Sequence, residues 1–124
     1  MKKIALVEDN ADNRLLVQAI LSDRYEIVEY ESGLDALEGF KQWRPDLILM
    51  DISLPEMDGT QVIKKLRSEE SFKSVPVIAL TAHAMHGDRE KYLLYGFDDY
   101  VTKPIVDEAV LIDSMEKLLN RNSA

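Results

Sequence analysis

Apolar and polar positions fall into alternating blocks along the chain. Short runs rich in Ile, Val and Leu at 4–7, 27–30, 47–50, 75–80 and around 100–101 predict five strands. Between them lie segments of helical length. Leu15, Leu16, Ala19 and Ile20 form one predicted apolar stripe, and Leu34, Leu37 and Phe40 a second. Val62, Ile63 and Leu66 form a third, and Val110, Leu111, Met115, Leu118 and Leu119 the last. A weaker pattern over 87–95 ends at Gly96, where a left-handed cap fits. Ser32 with Asp35, and Asp58 with Gln61, have the spacing of helix capping boxes.

The strand runs are apolar continuously rather than at alternate positions, which is the pattern of strands covered on both faces in a parallel sheet. Five such strands alternating with five helices predict an α/β, doubly wound (βα)5 fold with right-handed crossovers. No internal repeat, linker or compositional break divides the sequence, so residues 1–124 read as one domain.

Composition narrows the function classes. Hydrophobic residues make up 46% and charged residues 31%, a soluble globular balance. Fifteen Lys and Arg against twenty-three Asp and Glu give a formal charge of −8, which argues against a direct nucleic-acid binder. There is no cysteine, so thiol catalysis, disulfides and thiolate zinc sites drop out. The apolar stretch after Lys2 and Lys3 is too short for a signal peptide and ends in two acids. No run approaches the ~18 apolar residues of a membrane span, and a cytoplasmic location is expected.

In a doubly wound sheet, function gathers beyond the carboxyl ends of the strands. Glu8 and Asp9 follow the first strand, Asp51 and then Ser53 the third, Thr81 ends the fourth, and Lys103 with Pro104 follows the fifth. Three carboxylates and one ammonium there sum to −2, and like charges so close are costly. An all-oxygen donor set without His or Cys points to a hard divalent cation, Mg²⁺ rather than zinc. A metal-held carboxylate beside an ammonium and a hydroxyl is suited to attack phosphorus, and Asp51 is the expected acceptor.

These residues carry a family likeness. VEDN at 7–10, LILMDISLPEMDG at 47–59, ALTA at 79–82 and GFDDYVTKP at 96–104 together resemble a response-regulator receiver domain. The resemblance covers essentially the whole chain and implies a flavodoxin-like sheet of strand order 2-1-3-4-5. It further implies that Asp51 accepts a phosphoryl group from a sensor histidine kinase or histidine phosphotransfer protein. By the same resemblance Asp9 is the direct Mg²⁺ ligand, Glu8 its water-mediated companion, and Ser53 a ligand through its backbone carbonyl. Thr81 and Lys103 are the phosphoryl partners, the bond before Pro104 is cis, and Tyr100 is the aromatic that follows Thr81. Output would run through protein contacts on the face of helix 4, strand 5 and helix 5, with no membrane contact, no output domain and no turnover enzyme. The isolated format resembles standalone cell-cycle or phosphorelay receivers, a receiver cut from a longer kinase or regulator being the other reading.

Plainer readings apply elsewhere. His83 and His86 lack further nitrogen or sulfur ligands and read as solvent-facing, although His83 stands two residues after Thr81, a place from which, by the family resemblance, dephosphorylation can be tuned. Met50, Met57 and Met85 read as packing residues. The rival function is a Mg²⁺-dependent phosphohydrolase with an aspartate nucleophile in a D-x-D-x-T pattern, whose second acid protonates the leaving group. Here that place is Ser53. Neither G-x-G-x-x-G nor G-x-x-x-x-G-K-[ST] occurs, which disfavours a nucleotide module.

Overall fold

The computed structural model describes residues 1–82, 88–103, 105 and 107–121, the side chains of 88, 89 and 121 excepted. His83, Met85, His86 and Pro104, and with them the expected cis bond, lie outside the described residues. The elements alternate as expected: β1 (Lys3–Val7), α1 (Ala11–Leu21), β2 (Glu26–Tyr30), α2 (Gly33–Gly39), β3 (Leu47–Asp51), α3 (Gly59–Arg67), β4 (Val77–Thr81), α4 (Asp88–Tyr95), β5 (Asp99–Thr102) and α5 (Glu108–Arg121). All strands pair in parallel, in the order β2-β1-β3-β4-β5. The strand order reverses between β1 and β3, whose carboxyl ends lie side by side, and this is where a doubly wound sheet opens a crevice.

Side-chain alternation along each strand sorts the core into two layers. Ala5, Val7, Ile48, Met50, Val77 and Ala79 face one cluster with residues of α2, α3 and α4. Ile4, Leu6, Leu47, Leu49, Ile78 and Leu80 face the other, closed by Val17 and Leu21 of α1 and by Leu111, Met115, Leu118 and Leu119 of α5. Both faces of the sheet's centre are therefore dry, and β3 and β4 stay apolar until their last residues, Asp51 and Thr81.

The third and last predicted stripes are the buried ones, apart from Val110, which is exposed. The first two need correction. On α1 the inward residues are Val17 and Leu21, while Leu15 is 71% exposed, Leu16 and Ala19 are exposed, and Ile20 is only half-buried. On α2 Gly33 and Ala36 turn inward ahead of Phe40, and Leu34 is exposed. The fourth strand begins at Val77 rather than at 75, after a short 3-10 helix at Glu70–Phe72 and Pro76, which has no amide proton for the ladder.

Local signals set several boundaries. Asp58 and Gln61 form the complete reciprocal capping box of α3. For Ser32 only the outgoing half is present, its hydroxyl accepting from the Asp35 amide. Gly96 ends α4 at φ +111°, a backbone that favours glycine. Arg67, at the end of α3, donates to the carbonyls of Gly96, Phe72 and Val75 and pairs with Asp98 at 2.9 Å. Asp98 also accepts from the Val77 amide, so one guanidinium joins α3, the start of β4 and the approach to β5.

Candidate functional site

The expected residues sit at or just past the strand ends, apart from Tyr100, which lies within β5. The Glu8 amide bonds the Tyr30 carbonyl, continuing the β1–β2 ladder one residue past Val7. Asn10 then caps α1 by accepting from the Asn13 amide, so Glu8 and Asp9 occupy the tight turn between strand and helix. Arg14, one turn into α1, donates to the Glu8 carbonyl at 2.8 Å and pairs with Glu29 near the end of β2 and Glu31 just beyond it.

Asp51 is the last residue of β3 and 2% exposed. Its Oδ1 accepts from the Ser53 amide at 3.0 Å and its Oδ2 pairs with Lys103 Nζ at 3.1 Å. The carboxylate is thus held at both oxygens before any ligand arrives. Close packing holds the backbone below it: a Cβ on Gly59 would meet the Asp51 carbonyl oxygen at 2.5 Å. Only glycine lets α3 start so near the strand end.

Lys103 is fixed from the neighbouring strand. Its amide donates to the Thr81 carbonyl at 2.7 Å, and its ammonium also reaches Glu8 Oε1 at 3.2 Å. Burial pulls the Lys103 ammonium down, but hydrogen bonds and charge from Asp51 and Glu8 outweigh it, and the net shift is upward.

Carboxylate oxygens of Glu8, Asp9 and Asp51 all lie within 4.8 Å of one another. Glu8 is fully buried, Asp51 nearly so, and Asp9 exposed, so the cluster has one open side. Burial, and then the hydrogen bond with Asp51, push the Glu8 carboxyl up to about 7. Two buried carboxyls side by side resist being charged together, and retaining a proton on one relieves them. A divalent cation would relieve them too, and oxygen donors of this kind suit a hard metal ion. The three carboxylates could hold one.

Thr81 ends β4 and is 3% exposed. Its hydroxyl lies 2.9 Å from the Tyr92 hydroxyl on α4, in a buried contact. The Tyr92 ring meets the half-buried Tyr100 ring with centroids 5.5 Å apart. Tyr92 is thus a site neighbour that the sequence reading does not reach. Its one available signal is that it is a polar-tipped aromatic among the residues of α4. Arg14 was likewise not singled out, because it touches the site only through a backbone carbonyl.

The model of the response regulator receiver domain family matches residues 4–116. The polar-differentiation response regulator DivK of Brucella ovis is 44% identical over 105 residues, covering 84% of this chain and 85% of that protein. Among solved structures, the receiver domain of a Pseudomonas aeruginosa sensor histidine kinase, with magnesium coordinated in its active-site cleft, superposes with TM-score 0.86 at 37% identity over 96% of this chain and 98% of that one. The signal receiver domain of a Syntrophus aciditrophicus signal transduction histidine kinase superposes with TM-score 0.89 at 31% identity, covering 99% and 93%.

Proposed function

The chain belongs to the response regulator receiver domains, signalling domains of two-component systems, and we propose that it switches by Mg²⁺-dependent phosphorylation of Asp51. The observation that carries this is the carboxylate of Asp51, buried at a strand end and held by the Ser53 amide and the Lys103 ammonium beside two further acids. Glu8, Asp9, Asp51 and the Ser53 carbonyl are the proposed metal ligands, Glu8 acting through water. The bound cation supplies charge compensation for the carboxylates and for the phosphoryl oxygens.

In this reading a carboxylate oxygen of Asp51 attacks the phosphorus of a phosphohistidine on a sensor kinase or phosphotransfer protein. The new O–P bond forms as the N–P bond breaks, and the imidazole leaves with the electron pair. Asp51 enters the reaction already oriented, which is where positioning contributes to the rate. Lys103, which pairs with Asp51 Oδ2 beforehand, shifts its ammonium to a phosphoryl oxygen. Phosphorylation exchanges one negative charge for about two and adds acceptor oxygens that Thr81 turns to meet.

The output surface in this proposal is the face of α4, β5 and α5. Leu93 and Leu94 on α4 and Val110 on α5 are exposed there, and a groove bounded by Tyr100, Thr102, Val110 and Ser114 runs beside β5. Exposed apolar side chains of this kind suit a protein partner. Tyr100 is the element that would carry the state of Thr81 to that face.

The test is incubation with acetyl phosphate and Mg²⁺, read by intact mass. The parent gains one phosphoryl group stoichiometrically, and Asp51→Asn and Mg²⁺-free samples do not. Equal labelling of Asp51→Asn would overturn the assignment. Sustained turnover of a phosphomonoester would favour the hydrolase alternative.

A further inference from the structure

We propose that Tyr92 is a positioning residue for the switch, its hydroxyl holding Thr81 towards α4 in the resting state and giving it up when Asp51 is phosphorylated. The proposal rests on Asp51 as phosphoacceptor and goes beyond it by naming what the phosphoryl group competes with.

Strand alternation sets up the competition. Thr81 continues the series Val77, Ala79, whose side chains face the cluster under α3 and α4. Asp51 continues the series Leu47, Leu49, whose side chains face the opposite cluster. The two strands are neighbours, with Asp51 beside Leu80 in register. The Thr81 hydroxyl therefore starts on the α4 side and must turn across the end of the sheet to meet a group on Asp51.

On the α4 side it meets Tyr92 Oη at 2.9 Å. Tyr92 is 5% exposed and its ring is wedged edge-on against Phe97, at 6.3 Å and 81°, and tilted on Tyr100 at 5.5 Å and 43°. A ring fixed on two sides points its hydroxyl at one place, so the bond to Thr81 is pre-organised rather than incidental. A threonine hydroxyl turned to Tyr92 cannot at the same time face a group on Asp51, and a phosphoryl oxygen is a stronger acceptor than a phenol. Phosphorylation would draw the hydroxyl away, and the ring left behind is the one stacked on Tyr100. The bond thus weights the resting state, and removing it shifts the population towards the phosphoryl-bound state by the lost difference.

Tyr92→Phe keeps the ring and deletes the hydroxyl that makes this bond. Titration with beryllium fluoride at saturating Mg²⁺, followed by the Thr81 methyl resonance, reads the equilibrium directly. The variant should bind the mimic about five-fold more tightly, the weight of one ordinary hydrogen bond, with its Mg²⁺ affinity in the absence of fluoride at the parent value. A purely packing role would leave the mimic's affinity unchanged or weaken it, and either result overturns the proposal. In the parent, the ring Cζ resonance of Tyr92 should shift on saturation with the mimic. An unmoved resonance overturns the proposal without any variant. If the parent does not bind the mimic, or Asp51→Asn binds it equally well, the phosphoacceptor reading itself fails. If the parent binds through Asp51 and Tyr92→Phe matches it, only the role of Tyr92 fails.

Discussion

Glu8 shows how the site's charge is managed. It is the most deeply buried acid of the cluster, and its carboxyl is pushed from 4.5 to about 7 by burial and by Asp51. In the metal-free protein the folded state keeps a proton on Glu8 after the unfolded chain has released it. Stability from this group is therefore greatest at low pH and falls as pH rises through the window from 4.5 to about 7. Glu8→Gln, measured by denaturant unfolding in chelator at about pH 5 and about pH 8, should lose that decline while the parent keeps it. Identical slopes for the two proteins would show that Glu8 is not held protonated. Lys103 acts in the same sense at higher pH: its raised pKa contributes stability that is fully present below 10.5 and lost as pH rises through the native value. At this scale the sequence is informative wherever chemistry follows a strand end, as with Glu8, Asp51 and Lys103. Tyr92 escapes it because the contact with Thr81 joins two elements across eleven positions and leaves no local pattern.

Among the elements, α3 and α1 show why some signals are readable and others mislead. The capping box of α3 is local, so Asp58 and Gln61 announce it. Asp58 accepts from the Thr60 hydroxyl and the Gln61 amide, which hold its carboxyl below the usual 3.8. Asp58→Ala should cost about 1 kcal/mol at neutral pH by thermal or denaturant unfolding. That loss belongs to the charged form: it is present above 3.8 and should shrink as pH falls through the lowered native value. An undiminished difference in acid would contradict the capping account. In α1 the apolar positions suggest a face through Leu15 and Ile20, yet the helix turns Val17 and Leu21 inward with Arg14 in line. Arg14 tolerates that line because its guanidinium finds the Glu8 carbonyl, Glu29 and Glu31. No rule of periodicity anticipates a polar residue on the inward face, since its partners come from other elements. In α2 the small residues Gly33 and Ala36 pack inward where Leu34 was the more conspicuous candidate.

Across the whole molecule, alternating strand and helix signals were enough to foresee five parallel strands and two covered faces. Right-handed crossovers leave few ways to arrange such units. The order β2-β1-β3-β4-β5 then brings Glu8, Asp51, Thr81 and Lys103 to one edge of the sheet, although Glu8 and Lys103 are 95 positions apart. The fold is what converts four separate strand ends into one site. The proposed switch requires that this edge direct a phosphoryl group to Asp51 and to no other residue. The most direct measurement is to phosphorylate the protein with a small phosphoramidate and Mg²⁺, reduce the acyl phosphate with borohydride, and map the product by peptide mass spectrometry. The account predicts homoserine at position 51 alone, abolished when Mg²⁺ is withheld. Hydroxynorvaline at position 8, homoserine at position 9, or a labelled protein with position 51 unmodified, would contradict it.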